Sequence, residues 1–304
     1  MLAPDLTTRV GEVVLRSPVM TAAGTSGYGD ELAGYGDLAE LGAVVVKSLA
    51  AFAWPGNEAP RVAASGQHLL NSVGLAGPGV AAWRATYLPG LLARGACVVG
   101  SIWGRTVEEF AAAALLMRDA GVVALEVNAS CPNLDDRSTM FAHSAEATRD
   151  VVVAGLGAGV PVWVKLSPNT PDLVAIATSA VEAGAGALVL VNTVLGMAID
   201  IEARRPALGN GGGGVSGAGI LPVALRAVYD CRVALPTTAI VGVGGVSRAT
   251  DAVAMLMAGA QAFEVGTATF ADPRAVWKIQ RELGEWMGRH DVASIEQIVG
   301  AAHG

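Results

Sequence analysis

Eight short, β-rich apolar runs recur along the chain, at residues 18–21, 43–46, 97–100, 124–127, 161–164, 187–191, 239–242 and 262–265. They are mostly continuous rather than alternating, which is the pattern of parallel strands buried on both faces. Helix-like segments lie between most of them. Residues 106–120 carry apolar side chains at helical spacing behind Thr106-Val107-Glu108-Glu109, a cap sequence. Pro171-Asp172 opens a second helix that runs to Glu182 and ends near Gly184. Residues 247–257 form a third, with Ser247 as the expected cap and Gly259 past the end. Eight strand–helix units in 304 residues point to an α/β fold, a (β/α)8 TIM barrel. Residues 7–15 read as an N-terminal β-hairpin over the barrel floor. A doubly wound sheet is the weaker reading, since no GxGxxG follows the first run.

The composition suits one large core: 52% of residues are hydrophobic and 15% charged, so residues 1–304 are expected to form a single domain. A net charge of −7 argues against nucleic acid as a partner. No apolar run is long enough to span a bilayer, and the first residues lack the basic and apolar regions of a signal peptide. The three cysteines, Cys97, Cys131 and Cys231, show neither CxxC nor Cys/His spacing. That fits a reducing cytoplasm, with no disulfide framework and no structural metal. The histidines, His68, His143, His290 and His303, show no ligand spacing either. The glycine-rich stretch at 209–219 falls in a long connection between strands six and seven. Such loops are functional or mobile, and a flexible insertion is a credible reading of 209–213.

Barrel chemistry sits at the C-terminal ends of the strands, and every run here ends in polar or glycine residues. In order they are Thr21 to Thr25, Lys47 and Ser48, Ser101, Asn128 and Cys131, Lys165, Asn192 and Thr193, Gly244 and Gly245, and Gly266 and Thr267. Together they form a ring facing one cavity. Glycine pairs on strands seven and eight favour a phosphate cradled by backbone N–H groups, although each pair alone would pass as a tight turn. Lys47 and Lys165 at matching positions suit an anion or an electron-rich cofactor such as a flavin, a Schiff-base lysine being the competing idea. Asn71, Asn128 and Asn192 supply carboxamides that suit a planar, amide-rich ligand.

The hexapeptide Asn128-Ala129-Ser130-Cys131-Pro132-Asn133 carries the densest chemistry. Amide, hydroxyl and thiol groups gathered past a buried strand are costly unless they bind something. Cys97 and Cys231 read as small buried hydrophobes, whereas Cys131 stands in a polar loop and is a candidate proton-transfer or nucleophilic centre. Asp135, Asp136 and Arg137 read as a solvated loop face.

These motifs carry a resemblance. The stretches at 20–25, 44–47, 56–61, 71–75, 128–133, 164–169, 192–201, 214–217, 244–245 and 265–268 are similar, in order, to the class 1 dihydroorotate dehydrogenases, most closely the NAD-linked subclass 1B. The resemblance implies FMN across the barrel mouth, its phosphate on Gly244, Gly245, Gly266 and Thr267. Ala23, Lys47, Ser48, Ser101, Asn128, Lys165, Val191 and Gly217 would complete the cofactor site. Lys47, Asn71, Ser72, Val73, Gly74, Leu75, Asn128, Asn133, Asn192 and Thr193 would grip dihydroorotate. Cys131 would be the base that takes a proton from C5 while C6 gives up hydride, forming orotate in pyrimidine biosynthesis.

The resemblance further implies a homodimer and a separate subunit carrying FAD and an iron–sulfur cluster, since three cysteines are too few to hold such a cluster. Three departures stand out. Ser101 replaces an asparagine, Ala23 replaces a serine, and Arg137-Ser138-Thr139-Met140 replaces a segment with a glycine pair. They leave open a paralogue acting on another dihydropyrimidine or cyclic amide, or an FMN-binding subunit inactive without its partner.

Overall fold

A computed structural model describes residues 4–66, 68–130 and 140–304. Eight parallel strands build its main sheet: β1 (Val19–Thr21), β2 (Val44–Val45), β3 (Val98–Ile102), β4 (Ala124–Asn128), β5 (Val162–Leu166), β6 (Ala187–Leu190), β7 (Ala239–Val243) and β8 (Ala262–Val265). Their order is β1-β8-β7-β6-β5-β4-β3-β2. The two ends meet through a parallel bridge between Met20 and Ala43, where Thr21 N–H donates to the Ala43 carbonyl at 3.1 Å. The sheet therefore closes on itself, as expected of a (β/α)8 barrel.

Continuous apolar runs are explained by two apolar layers on either side of the sheet. Met20, Val45, Val99, Trp163, Val189 and Val241 form the inner layer. Val44, Val98, Leu125, Val164, Leu188, Ile240 and Phe263 alternate with them and pack outward on helix residues such as Phe110, Val151, Ile176, Val228, Leu256 and Ile279. The hairpin Thr8–Val10 and Val13–Leu15 turns at Gly11, whose φ is +58°. Its buried Val10, Val13 and Leu15 join the inner layer. At roughly 1.5–3 kcal/mol for each fully buried aliphatic side chain, this plug holds the floor in place.

Helix boundaries follow local chemistry. Thr106 caps the helix Val107–Met117 by accepting from Glu109 N–H, and the second expected helix is Leu173–Glu182. The third starts later than expected. Arg248, not Ser247, is the cap of Ala249–Met257. The Asp251 carboxylate in the first turn accepts from Ser247 N–H (3.0 Å), Ser247 O–H (2.9 Å) and Arg248 N–H (3.2 Å), so Ser247 donates where it was expected to accept. Among the described residues, the β1–β2 connection holds two 3₁₀ turns, Glu31–Gly34 and Leu38–Glu40, in place of an α-helix.

The glycine-rich connection after β6 also departs from a flexible insertion. Gly213–Ser216 is a strand in a four-stranded antiparallel sheet with Val194–Gly196, His68–Asn71 and Val62–Ser65. A Cβ on Gly213 would overlap the Asn71 carbonyl, and one on Gly214 would overlap the Thr193 hydroxyl. These glycines serve close packing rather than mobility. The sheet joins the segment after β2 to the one after β6, which places both beside the strand ends.

Candidate active site

The ends of β2, β3, β4 and β6 meet in one hydrogen-bonded chain. Ser48 and Ser101 share a hydroxyl–hydroxyl bond of 2.9 Å. Asn128 Nδ2 donates to Ser48 Oγ at 3.1 Å, and Asn128 Oδ1 accepts from Ser130 Oγ at 2.8 Å. Asn192 Nδ2 reaches Ser130 Oγ (2.6 Å) and Asn128 Oδ1 (3.4 Å), while Asn192 Oδ1 accepts from Thr193 N–H (2.8 Å). Each amide is thereby locked in one orientation, because swapping its O and N would set donor against donor. Asn128 is buried and Asn192 half-buried, so the set leads from the barrel interior toward its mouth. Asn71 stands apart from this chain: its Nδ2 donates to the Gly214 carbonyl at 3.3 Å. Behind Thr193, Asn169 takes the Leu195 N–H (2.9 Å) and donates to the Thr193 carbonyl (3.0 Å), bracing the loop after β6.

Beneath this chain lies a charged cluster. Lys165 Nζ pairs with Glu264 Oε2 at 2.9 Å and stands 3.6 Å from Glu126 Oε2. Glu126 Oε1 accepts from Ser101 Oγ at 3.1 Å, which links the cluster to the polar chain above. All three charged residues are buried. Loss of water pushes the Glu264 carboxyl up to about 8; the Lys165 ammonium pulls it down, while Glu126 adds to the rise by charge and hydrogen bonding.

The other side of the mouth is built from backbone. Gly217, Gly244 and Gly245 have φ of +99°, +128° and +81°. A Cβ on Gly245 would lie 2.6 Å from Leu221 N, and one on Gly244 would lie 2.9 Å from Ala224 Cβ. The two glycines thus let the end of β7 approach the start of the helix Leu221–Ala234. Thr267 Oγ1 donates to Ser216 Oγ at 2.8 Å, tying the end of β8 to the same corner. Three strand-end loops converge on a helix N-terminus, an arrangement that suits an anion.

The family profile described as Dihydroorotate dehydrogenase matches residues 5–287. The chain belongs to the dihydroorotate dehydrogenase family. It is 41% identical over 303 residues to the dihydroorotate dehydrogenase B (NAD(+)), catalytic subunit, of Geobacter sp. (strain M21), with 99% of both chains covered. It is 41% identical over 302 residues to the protein of that name from Pelobacter propionicus, again over 99% of both chains. A third relative of the same name, from Alkaliphilus oremlandii, is 40% identical over 301 residues, covering 99% of each.

Within this dihydroorotate dehydrogenase fold, Ser48, Ser101, Asn128, Asn192 and Thr193 come together as described. Lys47 follows β2, half-buried, with its N–H bonded to the Gly27 carbonyl at 3.2 Å. Val191 is buried and donates its N–H to the Val243 carbonyl at 2.8 Å. Ala23 and residues 71–75 are half-buried, and Leu75 has a φ of +59°. Cys131, Asn133, Asp135, Asp136 and Arg137 lie outside the described residues. Cys231 is fully buried, and desolvation pushes its thiol up to about 12, which fits an inert core residue. Half-buried Cys97 is raised for the same reason.

Among the histidines, His290 and His303 bond backbone carbonyls and stack on Trp286 and Tyr229. His68 Nδ1 and His143 Nε2 are buried without a hydrogen-bond partner among the described residues. Among the described residues no cluster of three or more His, Cys, Asp or Glu side chains is placed to hold a metal, and no helix is long and apolar enough to cross a membrane. The sequence placed Ser130 in the polar hexapeptide without a role, and Glu126 and Glu264 went unmarked. The signal for the two glutamates was a lone carboxylate inside an apolar strand.

Proposed function

We propose that this chain is the catalytic subunit of an NAD-linked dihydroorotate dehydrogenase: it oxidises dihydroorotate to orotate, a step of pyrimidine biosynthesis, with FMN as resident cofactor. Enzymes of the family are flavoproteins, and this site suits FMN on two counts. The Gly244–Gly245 corner would be filled by any Cβ, which leaves backbone and a helix N-terminus for a phosphate. Lys165 is buried at the end of β5, where an ammonium favours electron density on a ring above it. Gly244, Gly245, Gly266 and Thr267 would hold the phosphate; Ala23, Lys47, Ser48, Ser101, Asn128, Lys165, Val191 and Gly217 would line the rest. When bound, FMN supplies a two-electron acceptor for the hydride that leaves C6 of dihydroorotate.

The observation that carries this reading is the locked amide pair, Asn128 and Asn192, joined through Ser130. A dihydropyrimidine presents amide N–H and C=O groups in one plane. Carboxamides held in fixed orientations read such an edge with no reorganisation on binding. Thr193, Lys47 and residues 71–75, with Asn133, would complete the substrate grip, the ammonium of Lys47 answering the carboxylate of dihydroorotate. Cys131 takes the proton from C5. A thiol is suited to that role because its ordinary range lies close to working pH.

Residues 1–304 act as one FMN-binding unit in this reading, as a cytoplasmic homodimer. A separate subunit carrying FAD and an iron–sulfur cluster passes the electrons to NAD. Purified protein should be yellow, release FMN on denaturation, and turn over dihydroorotate with an artificial dye. A colourless protein that takes up no added FMN would refute the reading.

A further inference from the structure

Lys165 stands on β5 and Glu264 on β8, three strands apart in the sheet order, so their ion pair crosses the barrel interior. Glu126 enters from β4. The three side chains are almost fully buried, at 0% exposure for Glu126, 1% for Glu264 and 4% for Lys165. Two carboxyls thus face one ammonium away from bulk solvent. Glu126 Oε2 and Glu264 Oε1 lack a hydrogen-bond donor among the described residues. Two donorless acceptors in a buried cluster cost free energy that a single proton between them would recover.

Among the described residues, the neighbours in the sheet register are uncharged. Met20 on β1 and Val243 on β7 pair with Glu264 in the sheet register. Ser101 on β3 and Trp163 on β5 flank Glu126, and Asn128 on β4 and Val189 on β6 flank Lys165. Val45 fills the inner face of β2, and Val10, Val13 and Leu15 close the floor. The next ionisable groups, Lys47 and Cys131, follow the strand ends, Cys131 outside the described residues.

We propose that Glu126 and Glu264 share one proton, and that Glu264 is a positioning residue that holds Lys165 beneath the cofactor. The inference rests on the FMN reading for its effect on the flavin, but not for the proton itself. With one proton the triad is neutral: one carboxylate, one carboxylic acid, one ammonium. Loss of that proton leaves a net negative charge beneath the site and opposes the arrival of hydride above it. The same burial that removes water pushes Glu264 up to about 8, which agrees with a proton retained at neutral pH. Ser101, bonded to Glu126 and Ser48, connects the shared proton to the polar chain at the mouth.

The test compares FMN-loaded and FMN-stripped protein as wild type, Glu264→Gln and Glu126→Gln. Infrared spectra of the wild type should show a protonated-carboxyl carbonyl band, lost as pH is raised through about 8, with or without flavin. Either substitution should abolish the band, because the remaining carboxyl then ionises against Lys165. A second readout is the flavin midpoint potential. Its pH dependence should break near pH 8 in the wild type and lose that break in Glu264→Gln. Should one variant fail to fold, the other carries the same expectation. Absence of the band from wild type at neutral pH, or its persistence in either variant, would overturn the proposal. Failure of the FMN reading looks different: the protein takes up no flavin, yet the band and its titration remain.

Discussion

Asn128 Nδ2 donates to Ser48 Oγ at 3.1 Å, tying the end of β4 to the segment that follows β2. The bond fixes which edge of the Asn128 amide is left for Ser130 and Asn192. Asn128→Ala would break a chain that is buried except at Asn192, at about 1–3 kcal/mol for each buried group left unsatisfied. The expected result is a fall in kcat/KM of roughly 10- to 100-fold. Asn128→Asp should do no better, since a carboxylate places an acceptor where Nδ2 donates. Steady-state kinetics with a dye acceptor check both variants; unchanged values would remove Asn128 from the site.

Gly245 is a sharper test of the phosphate corner. Alanine there meets both a φ of +81° and Leu221 N at 2.6 Å, so the corner must open. Strain of this kind costs about 1–3 kcal/mol, and Gly245→Ala should lose FMN on gel filtration while keeping its secondary structure. Gly284 is the control. It sits within the helix Ala275–Arg289 with open space at its Cβ position. Gly284→Ala should raise Tm, by about 0.5–1 kcal/mol of stability, with flavin content unchanged.

Cys131→Ser separates proton removal from flavin binding. A hydroxyl is a far weaker acid than a thiol, so flavin reduction by dihydroorotate should slow by roughly 10²- to 10⁴-fold, the range of general-base catalysis. FMN content should stay at the wild-type level. A reduction rate independent of pH in the wild type would contradict the assignment.

The buried Glu264 makes a prediction for stability. Its carboxyl is raised from an ordinary 4.5 to about 8 in the folded chain. Between those values the folded state binds the proton and the unfolded state does not, so this group's contribution is full below about 4.5 and declines until about 8. The slope of stability against pH has the sign of one proton released on unfolding. Denaturant midpoints across this window should fall less steeply in Glu264→Gln than in the wild type. Parallel curves would show that Glu264 is ionised throughout.

How far the sequence was legible depended on range. Both apolar faces of each barrel strand are written in continuous runs, so the eight strands could be read locally, as could the Thr106 cap and the hairpin at Gly11. The ring of polar strand ends was legible because barrel topology dictates where strands stop. The meeting of Glu126 and Glu264 was not: each is a lone carboxylate in an apolar strand, and only closure brings β4, β5 and β8 around one interior. Gly213, the last residue of the 209–213 stretch read as a flexible insertion, misled in the same way. Its glycine signal is shared by mobile loops and tight packing, and only the approach of the Asn71 carbonyl distinguishes the two. Ser247 lost its expected cap position to Arg248, because the Asp251 carboxylate four residues on takes the Ser247 N–H and O–H.

The most direct test of the account is anaerobic mixing of the FMN-loaded protein with dihydroorotate in a stopped-flow instrument, watched by flavin absorbance. The expected result is a single-turnover bleach that yields one orotate per flavin and slows sharply in Cys131→Ser. A flavin that stays oxidised with dihydroorotate, in protein that retains its FMN, would contradict the proposed activity.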